Sequence, residues 1–164
     1  MPDRFRTAVY AGSFDPPTNG HLDLIERACR MFDRIIVGVA LNEAKTALFS
    51  VEERIDMLRT ITKDMPKVEV TSFRGLTVAF AEESGAVALV RGLRVVSDFE
   101  FELTMAVTNQ KLYPNIDTVC LMPSEQNLLL SSRLVKEIAH FGGDISHFVP
   151  AEVMARLERK LNGK

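Results

Sequence analysis

The chain of 164 residues contains no tryptophan, only two tyrosines and two cysteines, and almost no net charge, 20 basic residues standing against 22 acidic ones. Each shortage excludes something. Two cysteines cannot build a disulfide scaffold, and Cys29 and Cys120 make no C-x-x-C or metal-type spacing. Each lies in an apolar pattern, so both are expected to be buried free thiols in a reducing compartment. The balanced charge supplies no field for non-specific binding, so neither nucleic acid nor a membrane surface is expected as a partner. No stretch approaches the ~18 continuous apolar residues of a membrane span. Met1-Pro2-Asp3-Arg4-Phe5-Arg6 is charged and lacks the apolar core of a signal peptide, so a cytoplasmic location is expected.

What is present is ordinary globular material. Apolar residues make up 46% and charged residues 26%, enough for a packed core without staples. The length suits one domain spanning residues 1–164. Strand-like and helix-like stretches alternate. Thr7 to Ala11 is β-prone and closed by Gly12; Leu22, Ile25, Cys29 and Phe32 then recur at helical spacing. Arg34 to Leu41 is a nearly continuous apolar run, as in a strand buried on both faces. Ser50-Val51-Glu52-Glu53 is a capping box opening a helix with Ile55 and Leu58. Val68 to Phe73 reads as a strand, Leu76 to Ser84 as a helix stopped by Gly85, and Ala86 to Val90 as a buried strand. Ser97 or Asp98 is placed to cap a helix running to about Lys111, and Asp117 to Met122 is a fifth strand. Ser131 to Phe141 and Ala151 to Leu161 complete the helices. The pattern predicts an α/β fold: a Rossmann-like, open, mainly parallel five-stranded sheet with helices on both faces. Ligands bind such sheets at the carboxyl ends of the strands, where strand order reverses.

Three strand-to-helix connections carry anion-binding equipment. The first reads Gly12-Ser13-Phe14-Asp15-Pro16-Pro17-Thr18-Asn19-Gly20-His21. It is neither a P-loop nor G-x-G-x-x-G. It still combines a glycine for close backbone approach, a hydroxyl, and a helix N-terminus with His21 in its first turn. The bland alternative is a turn with a capping Thr or Asn and a surface histidine. The fourth connection, Arg91-Gly92-Leu93-Arg94, sets two fork-shaped donors at the end of a buried strand. Asp98 and Glu102 follow four apart on one helical face, so a plain arginine–carboxylate surface network is the alternative there. In the last connection Ser131 or Ser132 caps the next helix, which suits either phosphate binding or simple capping. His140 and His147 read as ordinary helix-end and loop residues. Together Ser13, His21, Lys45, Arg91, Arg94 and the serine-capped helix would hold several phosphates. With no nucleophile–base pair and no metal-ligand cluster in the motif, chemistry there would rest on positioning and charge stabilisation.

The G-S-F-D-P…T-N-G-H block, the R-G-L-R-V-V-S-D-F-E-F-E block and the S-S-R-L-V-K-E block closely resemble, in order and spacing, the bacterial phosphopantetheine adenylyltransferases, over about residues 7–150. The resemblance implies transfer of the adenylyl group of ATP to 4′-phosphopantetheine, giving 3′-dephospho-CoA and pyrophosphate with Mg²⁺ in coenzyme A synthesis. It implies a homo-oligomer, a hexamer, with dephospho-CoA and CoA as product or feedback ligand. By motif it assigns His21, Lys45 and Arg94 to catalysis. Ser13, Lys45, Thr77, Arg91 and Asn109 would meet phosphopantetheine. Ser13, Phe14, His21, Gly92, Leu93, Arg94, Asp98, Glu102, Asn127, Leu128, Leu129, Leu130, Ser131, Ser132 and Arg133 would meet ATP. No residue is assigned as a metal ligand, since Mg²⁺ would be held largely by ATP phosphates and water. The chain departs from the family at Ala11, usually proline; at Thr46, commonly lysine; in the Asn127-Leu128-Leu129-Leu130 run, where an aromatic is frequent; and at Arg133, where a third serine is usual. Two other readings share the fold: a related nucleotidyltransferase using nicotinamide mononucleotide or a choline- or glycerol-type phosphate, against which the R-G-L-R block argues, and a non-catalytic nucleotide-binding module, which leaves His21, Lys45, Arg91 and Arg94 unexplained.

Overall fold

The computed structural model describes residues 5–41 and 46–163. Among these residues five strands form one sheet: β1 (Thr7–Gly12), β2 (Arg34–Ala40), β3 (Val68–Phe73), β4 (Ala88–Gly92) and β5 (Asp117–Leu121). Their spatial order is β3-β2-β1-β4-β5, and every pairing is parallel. The helices are α1 (Asn19–Met31), α2 (Val51–Ile61), α3 (Thr77–Glu83), α4 (Val96–Leu112), α5 (Ser132–His140) and α6 (Ala151–Asn162), with a single 3-10 turn over Glu125–Asn127. The chain winds outward from β1 to one edge, then returns to β4 beside β1. The order therefore reverses between β1 and β4, and a crevice opens there at the strands' carboxyl ends.

Strand alternation assigns the two faces. Ala8 and Tyr10 of β1, with Ile35, Val37 and Val39 of β2, pack under Leu24, Ile25 and Ala28 of α1 and Leu58 of α2. Val9, Ala11, Ile36 and Leu89 face the other way, onto Val78 and Ala81 of α3. A third cluster joins Phe49 and Met57 to Val135 of α5 and to Val153 and Leu157 of α6, so the last helices wrap over α2. Gly38 of β2 serves close packing: a Cβ there would come within 3.0 Å of both Phe73 and Phe80, whose rings stack at 4.5 Å.

Two expectations need correction. Ser97 and Asp98 do not cap α4; they lie inside it, the cap position is Val95 with extended backbone and no side-chain hydrogen bond, and the Asp98 carboxylate serves Arg94 instead. The cysteines are not both buried. Cys29 is half-buried and Cys120 is exposed, because β5 is the sheet's edge strand. No helix among the described residues is long and apolar enough to cross a membrane.

Candidate active site

The crevice between β1 and β4 is a cavity of about 370 Å³. Its first wall is the β1–α1 connection. Thr18 is the N-cap of α1, and its hydroxyl accepts from the His21 N–H. In return the Thr18 N–H donates to His21 Nδ1 at 3.0 Å. That bond makes Nδ1 an acceptor, so the ring proton resides on Nε2. Burial, reinforced by the positive charge of Arg94, lowers the His21 pKa from 6.5 to about 4. At neutral pH His21 is an uncharged imidazole with a single N–H donor. Phe14 lies edge-on to His21 at 4.9 Å and to Tyr10 at 5.4 Å, its ring only 2% exposed. Its backbone adopts φ +49°, a left-handed turn that a non-glycine residue seldom takes, bending the chain around the cavity floor. Ser13 lines the same cavity, and its carbonyl accepts from Arg54 at 2.8 Å.

The second wall is the β4–α4 connection. Arg91 meets Glu102 through two parallel bonds, Nε to Oε2 and Nη2 to Oε1, both 2.8 Å. This is the fork-on-carboxylate geometry that fixes a guanidinium in one plane. Arg94 donates from Nε to Asp98 at 3.1 Å and from Nη1 to the Leu130 carbonyl at 2.9 Å, tying α4 to the last connection. Glu102 and Asp98 line the cavity, but each carries an arginine; what they supply is orientation of those cations. Arg91 and Glu102 also line a second cavity of about 230 Å³, with Thr77 and Asn109. The Arg91–Glu102 pair is thus the partition between the two spaces.

The third wall is the segment after β5. Asn127, Leu130, Ser131 and Ser132 reach the first cavity. Ser131 is the N-cap of α5 and accepts from the Leu134 N–H; the Ser132 hydroxyl donates to the Pro16 carbonyl at 2.8 Å. Arg133 lines a third space of about 320 Å³ with Ser13, His21, Arg54 and Lys136.

The crevice brings together Ser13, Phe14, His21, Arg91, Gly92, Arg94, Asp98, Glu102, Asn127, Leu130, Ser131 and Ser132. Leu93, Leu128 and Leu129 line none of these three spaces; Leu129 is exposed and the Leu93 N–H donates to the Leu121 carbonyl. Lys45 lies outside the described residues.

Three residues that hold the site together were missed from sequence. The Asp15 carboxylate accepts from the Leu48 and Phe49 N–H groups and from Lys136, each at 2.9 Å. Burial would raise its pKa, but these donors outweigh burial and lower it. Arg54, 6% exposed, braces the Ser13 carbonyl. Its signal was present: Val51, Arg54 and Leu58 follow one another at i, i+3 and i+7, which puts an arginine on the apolar stripe of α2.

The fit of a divalent cation follows from the same bonds. Asp98 and Glu102 are bound to arginines, Asp15 to two amides and a lysine, and no cluster of three or more His, Cys, Asp or Glu forms among the described residues. These residues make no protein cage for Mg²⁺.

Residues 9–138 match the cytidylyltransferase-like family. A solved structure from Vibrio parahaemolyticus, provisionally assigned as a nicotinate-nucleotide adenylyltransferase, shares the fold with a TM-score of 0.73 over 96% of this chain and 95% of that one, at 19% identity. Fold and site therefore define a cytidylyltransferase-like α/β protein. Among curated proteins, the phosphopantetheine adenylyltransferase of Caldanaerobacter subterraneus subsp. tengcongensis is 54% identical over 155 residues, which are 94% of this chain and 97% of that protein. That of Desulforudis audaxviator is 54% identical over 94% and 95% of the two chains, and that of a Cyanothece species 53% over 93% and 90%. The chain belongs to the phosphopantetheine adenylyltransferase family.

Proposed function

We propose that the protein transfers the adenylyl group of ATP to 4′-phosphopantetheine, releasing pyrophosphate and forming 3′-dephospho-CoA, a step of coenzyme A synthesis. The observation that carries the mechanism is His21: a neutral imidazole whose one N–H is set by the Thr18 amide, at a helix N-terminus, in a cavity walled by two clamped arginines. A phosphate oxygen of phosphopantetheine attacks the α-phosphorus of ATP, and the bond from that phosphorus to the bridging oxygen of the β-phosphate breaks. A phosphate monoester is already largely ionised at neutral pH, so the attacking oxygen needs no base. What the site must supply is stabilisation of charge on the α-phosphate oxygens as it builds. His21 Nε2–H, the positive end of the α1 dipole and the arginines supply it without reorganising.

The two cavities divide the substrates. The larger one takes ATP between Phe14, His21, Arg94 and the 127–132 segment. The smaller, with Thr77 and Asn109, takes the pantetheine arm, so Arg91 stands where its phosphate meets the nucleotide. Lys45 is assigned to the reacting phosphates by motif. Mg²⁺ would be held largely by the ATP phosphates and water and would draw off phosphate charge, and CoA and dephospho-CoA would enter as feedback ligand and product. A homo-oligomer, a hexamer by family resemblance, is supported by α4: Val96, Phe99, Leu103 and Val107 are exposed on one side of it and Phe101 and Leu112 on the other, and a helix apolar on several sides needs more than one packing partner.

Pyrophosphate release with ATP and phosphopantetheine tests the reading, with nicotinamide mononucleotide assayed in parallel. Release with phosphopantetheine is expected. Release with nicotinamide mononucleotide alone would overturn it.

A further inference from the structure

One polar network near the nucleotide cavity takes no part in the chemistry above. Asp23 and Arg27 lie one turn apart on α1, two and six residues past His21; Ser124 follows β5 and precedes the 3-10 turn. The Ser124 N–H donates to Asp23 Oδ2 at 2.6 Å, and the Ser124 hydroxyl donates to Asp23 Oδ1 at 3.0 Å. Arg27 closes the ring, donating from Nη2 to the Ser124 hydroxyl at 2.9 Å and from Nε to Asp23 Oδ1 at 3.0 Å. The Ser124 hydroxyl thereby accepts one bond and donates its one proton, and its backbone N–H completes a shared, charge-assisted set. The Asp23 side chain is 15% exposed, so the bonds are partly shielded from water.

The network leads somewhere. The Ser124 carbonyl accepts from the Asn127 N–H at 2.8 Å, and the Asn127 carbonyl accepts from the Leu130 N–H at 3.1 Å. The Leu130 carbonyl in turn accepts from Arg94. A continuous chain of bonds thus runs from the helix carrying His21, through Ser124, to Asn127, Leu130 and Arg94, all lining the 370 Å³ cavity. None of residues 123–132 lines the neighbouring cavity that holds Thr77 and Asn109.

We propose that Asp23, Arg27 and Ser124 are positioning residues for the nucleotide: they fix the distance between the His21 helix and the Asn127–Leu130 segment, and so set the affinity for ATP and not for the second substrate. The proposal rests on the adenylyltransferase reading. Asp23→Asn turns one of the two acceptor atoms into a donor facing another donor, and Ser124→Ala removes the hydroxyl. Small displacements of positioning groups are costly in bound geometry. Each variant should raise the KM for ATP by about tenfold, while the KM for phosphopantetheine stays within about twofold and kcat within about threefold. The double variant should lose no more than the worse single one, since both break the same set. Ser124→Thr, which keeps the hydroxyl, should retain the parental KM and guards against a variant that merely fails to fold. Calorimetric titration with ATP alone separates the two claims. A parent that binds ATP but releases no pyrophosphate refutes the adenylyltransferase reading and leaves weaker ATP binding by the variants to decide the network. A parent that is active, with variants of parental ATP affinity and only a lowered melting temperature, overturns the network's role. A parent that binds no ATP overturns both.

Discussion

Helices α1 and α4 stand on opposite sides of the same crevice, yet they are held in different ways. α1 is entered through a reciprocal cap between Thr18 and His21 and buries Leu24, Ile25 and Ala28 against the sheet. α4 is entered from Val95 with no side-chain cap, and its one buried residue is the charged Glu102. Along α4, Val96 is 80% and Phe101 60% exposed. Within the chain, α1 has what a helix needs: a satisfied N-terminus and an apolar stripe facing a core. α4 lacks both and is fastened through ion pairs, Arg91–Glu102 and Arg94–Asp98. The donors on the α1 side are therefore set by local backbone geometry. The cations on the α4 side depend on a helix whose large apolar residues are exposed.

The strongest way to break this contrast is at His21. If the α1 side supplies charge stabilisation made only in the transition state, His21→Ala should lower kcat by about 10²–10³-fold, the usual cost of one oxyanion-type donor. ATP binding should change far less. His21→Asn, which keeps a donor, should recover part of the loss. Steady-state kinetics with calorimetry check it; an alanine variant within a few-fold of the parent in kcat would make His21 a helix-start residue only.

On the α4 side the effects should appear in binding. Arg91→Ala leaves the buried Glu102 carboxylate without its partner and should weaken phosphopantetheine by roughly 30-fold, about 2 kcal/mol. Arg94→Ala should act mainly on ATP and less strongly, because the Arg94–Asp98 pair is more exposed to solvent. Titration of each variant with each substrate tests the division; equal losses for both ligands in both variants would erase it.

Much of this architecture was legible in the chain because it rests on short-range patterns. The apolar runs of β1, β2 and β4, the Ser50–Glu53 box and the glycines after α3 and α5 are local signals, and the structure places elements there. The cavity residues were legible because three motifs fall at strand ends that a parallel sheet gathers on one edge. What was illegible depends on partners far along the chain. Asp15 is defined by Lys136, 121 residues away, and Arg54 by Ser13, 41 away. Cys120 was misplaced because an edge strand reads like a central one until the strand order is known. The capping error at α4 has the same root: Asp98 was free to cap only if Arg94 did not claim it, and local propensity ranks no such competition.

Assembly sharpens the comparison from the side of α4. Leu103→Glu puts a charge in the middle of the exposed apolar face formed by Val96, Phe99, Leu103 and Val107, where it costs the isolated chain little but opposes burial against another copy. Light scattering should show an oligomer for the parent and a smaller species for the variant. Activity should fall by a few-fold, through Arg91 and Arg94, as α4 loses its cover. A parent that is monomeric at micromolar concentration would show α4 to be stable uncovered.

The smallest effect expected returns to α1, and it is a matter of pH. Burial, then the charge of Arg94, holds His21 near pKa 4 in the folded protein, whereas an unfolded chain restores about 6.5. Between those values the unfolded state binds the proton that the folded state refuses, so stability rises with pH across that window. The contribution is fully present above about pH 6.5 and is lost as pH falls toward 4. His21→Asn removes the titrating group while keeping a polar side chain beside Thr18. Urea unfolding at pH 7 and pH 5 should therefore show a smaller acid-induced drop in midpoint for the variant than for the parent. His140 and His147 are common to both proteins, so the difference isolates His21. Equal drops would mean that the imidazole accepts its proton as readily in the fold as out of it. The neutral, Nε2-protonated donor on which the α1 half of the site depends would then be held by the ambient pH and not by the fold.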